Sequence, residues 1–318
     1  MKAVYFEKCG SPDVLVYGDL PDPRPGPNAV LIRVRATSLD RLDIFTREGS
    51  HGTIFTPPHV PGRDIAGEVA EVGAAVEGIA VGDRVVARGR GSCAEYALAA
   101  AIHTFPLPHN CSFAEGGALP TAGEAAYTVL MERARLRAGE DVLVVAAGSG
   151  VGHYAVQIAK AAGARVIATV GSEEKRTEAR ALGADETINH YTEDIAGRVM
   201  DFTAGRGVDV IVEHVGAPVW EACMKSLKPY GRFVTCGVTA GHRVELHLGQ
   251  VFVKGIHIMG VGPRTDHMMR EGMLGLLRLV SLGLVRPKVQ RIFPLSQAAE
   301  AHRLMASSSF FGKIVLTP

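Results

Sequence analysis

At 318 residues the chain is too long for one ordinary domain and about right for two. Its 47% hydrophobic and 21% charged residues can bury two sizeable cores, which excludes a disordered chain. The 34 Lys and Arg residues balance 33 Asp and Glu to a formal charge of +1, which argues against a nucleic-acid binder with a basic stripe or tail. No apolar stretch reaches the roughly 18 to 20 residues of a membrane span. The opening Met1-Lys2-Ala3-Val4-Tyr5-Phe6 turns polar too soon for a signal peptide. A cytoplasmic protein is expected. The scattered cysteines Cys9, Cys93, Cys111, Cys223 and Cys236 form no CxxC pair, as suits a reducing compartment.

In chain order, Pro21, Pro23, Pro25 and Pro27 make an extended lead-in that is neither helix nor central strand. The next segment alternates, with Val30, Ile32, Val34 and Ala36 on one face and Arg33 and Arg35 on the other, and predicts a half-buried strand. Further strands are expected over 65–72, 83–87 and 95–98, punctuated by Gly73, Gly78, Gly82 and Gly89, the pattern of a barrel or sandwich. From Glu140 the texture changes. The continuous apolar run 141–145 reads as a parallel strand covered on both faces, followed by an amphipathic helix over 151–162. Strands at 165–170, 187–188, 208–212, 232–236 and 257–260 alternate with helices at 173–182, 194–203 and 219–227. This is an α/β pattern with a doubly wound parallel sheet of about six strands. Two helices, 268–282 and 296–305, and a strand 312–316 close the chain.

The turn after the first sheet strand, Ala146-Ala147-Gly148-Ser149-Gly150-Val151-Gly152, sits between an apolar strand and an amphipathic helix. That is the context in which a glycine-rich turn binds a dinucleotide. Small residues let the backbone approach a pyrophosphate, and the helix start offers free N–H groups and partial positive charge. Ser149, Gly150, Val151 and Gly152 are therefore cofactor candidates. An NAD site places an acid at the tip of the second strand to hold the ribose 2′-hydroxyl. Here that tip reads Val170-Gly171-Ser172, with Lys175 and Arg176 close behind. Gly171, Ser172 and Lys175 suit a 2′-phosphate, which a carboxylate would repel. The cofactor expected is NADPH.

The segments Pro61-Gly62-Arg63-Asp64-Ile65-Ala66-Gly67-Glu68-Val69, Val81-Gly82-Asp83-Arg84-Val85, the glycine turn, Gly183-Ala184-Asp185-Glu186 and Gly312-Lys313-Ile314-Val315-Leu316 lie in an order that resembles the medium-chain dehydrogenase/reductase superfamily. Its quinone oxidoreductase and zinc-type alcohol dehydrogenase-like branches are the nearest in pattern. The resemblance implies a GroES-like β-barrel catalytic domain, residues 1–121 and 263–318, with a Rossmann NADP-binding domain inserted over 122–262. It implies further cofactor contacts at His190, Val215, Gly216, Gly237, Val238, Gly260, Val261, Gly262 and Lys313. It also implies a homodimer paired through the sixth sheet strand, where Ile256-His257-Ile258-Met259 would otherwise leave an open apolar edge.

The family's alcohol dehydrogenases hold a catalytic zinc on three side chains. The matching positions here are Asp40, Arg63 and Thr121. A guanidinium has no lone pair to offer, and one carboxylate does not make a site that needs three or four ligands. No metal is expected, and an Asp40/His59 site is the one alternative left by spacing. Without a Lewis acid, the chemistry implied is hydride transfer from NADPH to an already electron-poor acceptor, a quinone or α,β-unsaturated carbonyl. The catalytic candidates are Asp40, as substrate-orienting residue or proton relay, Arg63, as oxyanion partner or ion pair with Asp64 or Asp40, and Glu124, as proton donor. A zinc-dependent alcohol or aldehyde dehydrogenase with an atypical site, and a non-catalytic NADPH-binding protein, are the alternatives.

Overall fold

The computed structural model describes every residue from Met1 to Pro318. In chain order the strands are β1 (Lys2–Tyr5), β2 (Val16–Asp19), β3 (Ala29–Ser38), β4 (Asp64–Val72), β5 (Arg84–Arg90), β6 (Tyr96–Pro106), β7 (Asp141–Val144), β8 (Arg165–Val170), β9 (Glu186–Asn189), β10 (Val208–Glu213), β11 (Leu227–Thr235), β12 (His257–Gly260), β13 (Val289–Pro294) and β14 (Lys313–Thr317). The α-helices are α1 (Arg41–Glu48), α2 (Phe113–Gly116), α3 (Pro120–Tyr127), α4 (Gly150–Ala161), α5 (Glu173–Ala181), α6 (Ile195–Phe202), α7 (Trp220–Ser226), α8 (Leu248–Lys254), α9 (Asp266–Ser281) and α10 (Ala298–Ser307). No helix is long and apolar enough to cross a membrane.

The chain forms two compact units, one of Met1–Ala122 with Pro287–Pro318 and one of Gly123–Arg286. In the first, the strand order is β13-β14-β3-β4-β5-β6, and β3 pairs with β6 as well as β4. The extra pairing closes β3 to β6 into a ring, the closure that removes exposed strand edges. Val30, Ile32 and Val34 of β3 point inward and meet Ile65, Val69, Val85 and Ala97, while Arg33 and Arg35 stay exposed. Period two therefore holds from Ile32 to Ala36, whereas Leu31, Thr37 and Ser38 are buried as well. Β14 returns from the far end of the chain to lie antiparallel to β3, with Val315 opposite Ser38.

In the second unit, six parallel strands run in the order β12-β11-β10-β7-β8-β9. Β7 and β10 are buried along their whole length, as a sheet covered on both faces requires. Leu143, Ile167, Ile188, Val199, Ile211 and Phe233 share one core. The unit runs to Arg286 rather than Gly262, which moves the expected domain boundary. The reason is α9: Gly272 and Gly275 leave room for Thr128 and Tyr127, so the helix packs within this unit.

Candidate functional site

All five turns that follow strands of the parallel sheet, together with the residue after β9, come to its carboxyl edge, where a doubly wound sheet takes its ligand. At the first, Ser149 caps α4, its Oγ accepting the Gly152 N–H at 2.9 Å. A Cβ on Gly152 would run into the Ala146 carbonyl and lie 2.7 Å from Ala147 Cα, so only glycine lets the helix start this close to the strand. Ser149, Gly150 and Val151 remain partly open. This leaves first-turn N–H groups for an anion.

At the second, Ser172 caps α5 and accepts the Lys175 N–H at 3.3 Å. A Cβ on Gly171 would sit 2.8 Å from the Tyr191 ring and 3.2 Å from His190 Nε2, so the glycine makes space for both rings. Partial burial and the charge of Lys175 push the His190 imidazole pKa down. Lys175, itself lowered by burial, therefore stands close to His190. The set Gly171, Ser172, Lys175 and His190 offers hydroxyl, ammonium and ring groups to an adenosine 2′-phosphate. Arg176 does not join it: Glu193 and Glu173 hold its guanidinium. Tyr191, edge-on to His190 at 4.4 Å, escaped the sequence reading.

Beyond β10, the Glu213 carboxylate accepts the N–H groups of Val215 and Gly216, the latter at 2.7 Å. Gly216 has φ 97°, and a Cβ there would strike the Gly241 carbonyl. Gly237 and Val238 follow β11, and a Cβ on Gly237 would stand 3.2 Å from the His214 carbonyl. Gly260, Val261 and Gly262 follow β12, where Arg133 donates to the Val261 carbonyl at 2.5 Å. The sequence-predicted cofactor residues thus gather along one edge of one sheet, and the close backbone approaches at Gly152 and Gly216 fit a dinucleotide. Lys313 is the exception.

Lys313 belongs to the first unit and is buried, its Nζ 2.5 Å from Asp40 Oδ1 and 3.4 Å from Asp64 Oδ2. Its ammonium is thus engaged by carboxylates of its own unit. Asp64 also takes the Ser38 hydroxyl at 2.8 Å, the Thr121 hydroxyl at 2.6 Å and the Thr121 N–H at 2.9 Å. Asp43 accepts the N–H groups of Asp40 at 2.8 Å and Gly62 at 3.0 Å. Burial alone would push the Lys313 ammonium pKa down, but the charges of Asp40 and Asp64 outweigh it and the net shift is upward. Burial lifts the Asp40 carboxyl to about 7 even though Lys313 opposes the rise. Asp40 Oδ2 is buried without a hydrogen-bond partner.

Arg63 is exposed and forms no ion pair with Asp40 or Asp64, both of which face the buried Lys313 ammonium. Glu124, in the second unit, is buried and its carboxylate takes the Arg264 guanidinium and, at 3.0 Å, the Thr128 hydroxyl. Arg264 lies just after Gly262, so this ion pair anchors the loop beyond β12.

The side chains do not fit a zinc ion. Asp40 is engaged by Lys313, Thr121 by Asp64, and no three His, Cys, Asp or Glu groups converge on one point. His59, the alternative partner for Asp40, packs its ring against Phe6 and Phe55 at 5.1 and 5.5 Å. The sequence carries a signal for the burial of Lys313. A single charge inside the apolar run Phe310-Phe311-Gly312-Lys313-Ile314-Val315-Leu316 implies a buried partner.

Both units match family models, an alcohol dehydrogenase GroES-like domain over residues 26–136 and a zinc-binding dehydrogenase domain over 150–279. A quinone oxidoreductase of Pseudomonas aeruginosa is 34% identical over 100% of this chain and 99% of its own. A 2-haloacrylate reductase of a Burkholderia species is 32% identical over 99% of this chain and 98% of its own. Among solved structures, an NAD-dependent alcohol dehydrogenase superposes with a TM-score of 0.94 at 37% identity, covering 100% of both chains. Escherichia coli quinone oxidoreductase complexed with NADPH does so at 0.91 and 29%, again over 100% of both. The fold and the cradle define a two-unit nicotinamide-dependent oxidoreductase. The chain belongs to the medium-chain dehydrogenase/reductase superfamily, in its quinone oxidoreductase-like branch.

Proposed function

We propose that the protein reduces quinones or α,β-unsaturated carbonyls without a metal. The observation that carries this reading is the Asp40–Lys313–Asp64 cluster: a buried ammonium occupies the carboxylates that an ion would need. When bound, NADPH supplies the hydride. Electron-poor acceptors need no Lewis acid, only a proton source and stabilisation of the oxygen that gains charge. Asp40 is suited to the first task. Lys313 fixes its Oδ1, and Oδ2 can hold and release a proton near neutral pH. Arg63, an exposed guanidinium without an ion pair, is suited to the second. A reductase of haloacrylate, a conjugated acid, among the relatives supports acceptors of this electronic class.

The exposed edge of β12, where Ile258 is 40% exposed, supports a homodimer closed by strand pairing. A cytoplasmic location fits the five free thiols.

The test is a panel of substrates, mixing protein and NADPH with phenanthrenequinone, short enones and simple aldehydes, and protein and NADP⁺ with simple alcohols. Turnover confined to the quinones and enones is expected. Turnover of unactivated alcohols or aldehydes alone would overturn the reading in favour of a dehydrogenase.

A further inference from the structure

The glycine turn carries a serine, and a histidine from a different loop reaches it. Ser149 Oγ lies 2.8 Å from His214 Nε2, although 65 residues separate them. The two side chains join the turn after β7 to the turn after β10. The Ser149 side chain and the His214 backbone are each held by a further contact. Ser149 Oγ accepts the Gly152 N–H, and the His214 carbonyl accepts the Thr239 hydroxyl at 3.1 Å and the Thr239 N–H at 3.2 Å. His214 is 7% exposed, so its contact with Ser149 is shielded from water.

We propose that His214 is a positioning residue for the cofactor pyrophosphate, acting through Ser149. A hydroxyl has one proton to give and two lone pairs to accept with. One lone pair takes Gly152 N–H. When His214 carries its proton on Nε2, the second lone pair takes that N–H. The Ser149 proton is then left over for a phosphate oxygen at the open first turn of α4. The histidine thus converts a capping serine, whose proton would otherwise be directed at the imidazole, into a phosphate donor. No covalent step is involved.

The inference rests on NADPH lying at the glycine turn, and its test reads binding rather than turnover. NADPH and 2′-AMP are titrated against wild type, His214→Leu, His214→Gln, Ser149→Ala and the His214→Leu/Ser149→Ala double variant. 2′-AMP carries the adenosine 2′-phosphate but no pyrophosphate, so it reports on the Lys175 end of the cradle alone. His214→Leu should weaken NADPH about tenfold, the value of one hydrogen bond to a charged group, and leave 2′-AMP within about twofold. His214→Gln, whose amide N–H reaches as far as Nε2, should restore most of the loss. The double variant should bind NADPH no worse than Ser149→Ala. Equal weakening of both ligands by His214→Leu, unchanged NADPH binding, or additive losses in the double variant would each overturn the proposal. Wild-type protein that bound no NADPH would sink the cofactor assignment along with it, a result distinct from these.

Discussion

Lys313 Nζ stands 2.5 Å from Asp40 Oδ1, a contact that ties the first residue of the last strand to the residue preceding α1 across 273 positions of chain. Both side chains are withdrawn from water, and Asp64 completes the cluster. Removing one member of such a group leaves an uncompensated buried charge. Lys313→Met should cost about 3 to 5 kcal/mol of unfolding free energy, measured by urea denaturation. Adding Asp40→Asn should return a large part of it. A loss below about 1 kcal/mol in the single variant, the range of exposed pairs, would show that the cluster is hydrated.

Cofactor choice has its own test at Lys175. Lys175→Glu replaces attraction to the 2′-phosphate with repulsion, beside Gly171, Ser172 and His190. NADPH affinity should fall at least tenfold, roughly the weight of a charge-assisted hydrogen bond, while NADH affinity changes little. Fluorescence titration of the two nicotinamides reads the ratio. Equal losses for both would place Lys175 away from that phosphate.

His302, on α10, predicts how stability depends on pH. It is fully buried, neither ring nitrogen has a hydrogen-bond partner, and burial followed by the charge of Arg47 lowers its pKa from 6.5 to about 3. The folded state therefore refuses a proton that the unfolded chain accepts below pH 6.5. Its contribution is fully present above that pH and is lost as pH falls towards 3. His302→Leu should remove about 3 kcal/mol of the stability change between pH 6.5 and about pH 4, seen as a flatter plot of Tm against pH. An unchanged slope would show that another group dominates this window.

The parts legible in sequence share one property: their signal is local. Alternation over Val30–Ala36 fixed the face of β3, and the run before the glycine turn marked β7, because burial on one or both faces leaves a short-range pattern. Β13 left none, since only Phe293 of its six residues is buried. Α8 has no buried residue and likewise leaves no pattern. The start of β11 at Leu227 rather than Arg232 is hidden in sequence, because Lys228-Pro229-Tyr230-Gly231 has turn chemistry and Tyr230 does adopt φ 62° inside the strand. The cradle residues were readable because a parallel sheet brings every strand end to one edge. Lys313 with Asp40, Glu124 with Arg264 and Ser149 with His214 were not, because each is a pairing between distant segments that only tertiary packing creates.

The edge of β12 supplies a prediction about assembly. Ile258→Lys places a charge on an apolar edge that would be covered in a strand-paired dimer. Light scattering should report a dimer for wild type and a monomer for the variant. A monomeric wild type would contradict the homodimer.

Metal independence is the central claim, and it is tested most directly by following NADPH oxidation with phenanthrenequinone in protein from which divalent ions have been stripped by chelation and verified absent by elemental analysis. The account predicts an unchanged rate in the stripped protein and a steep loss in Asp40→Asn. Activity that disappears on chelation and returns with stoichiometric zinc would contradict it.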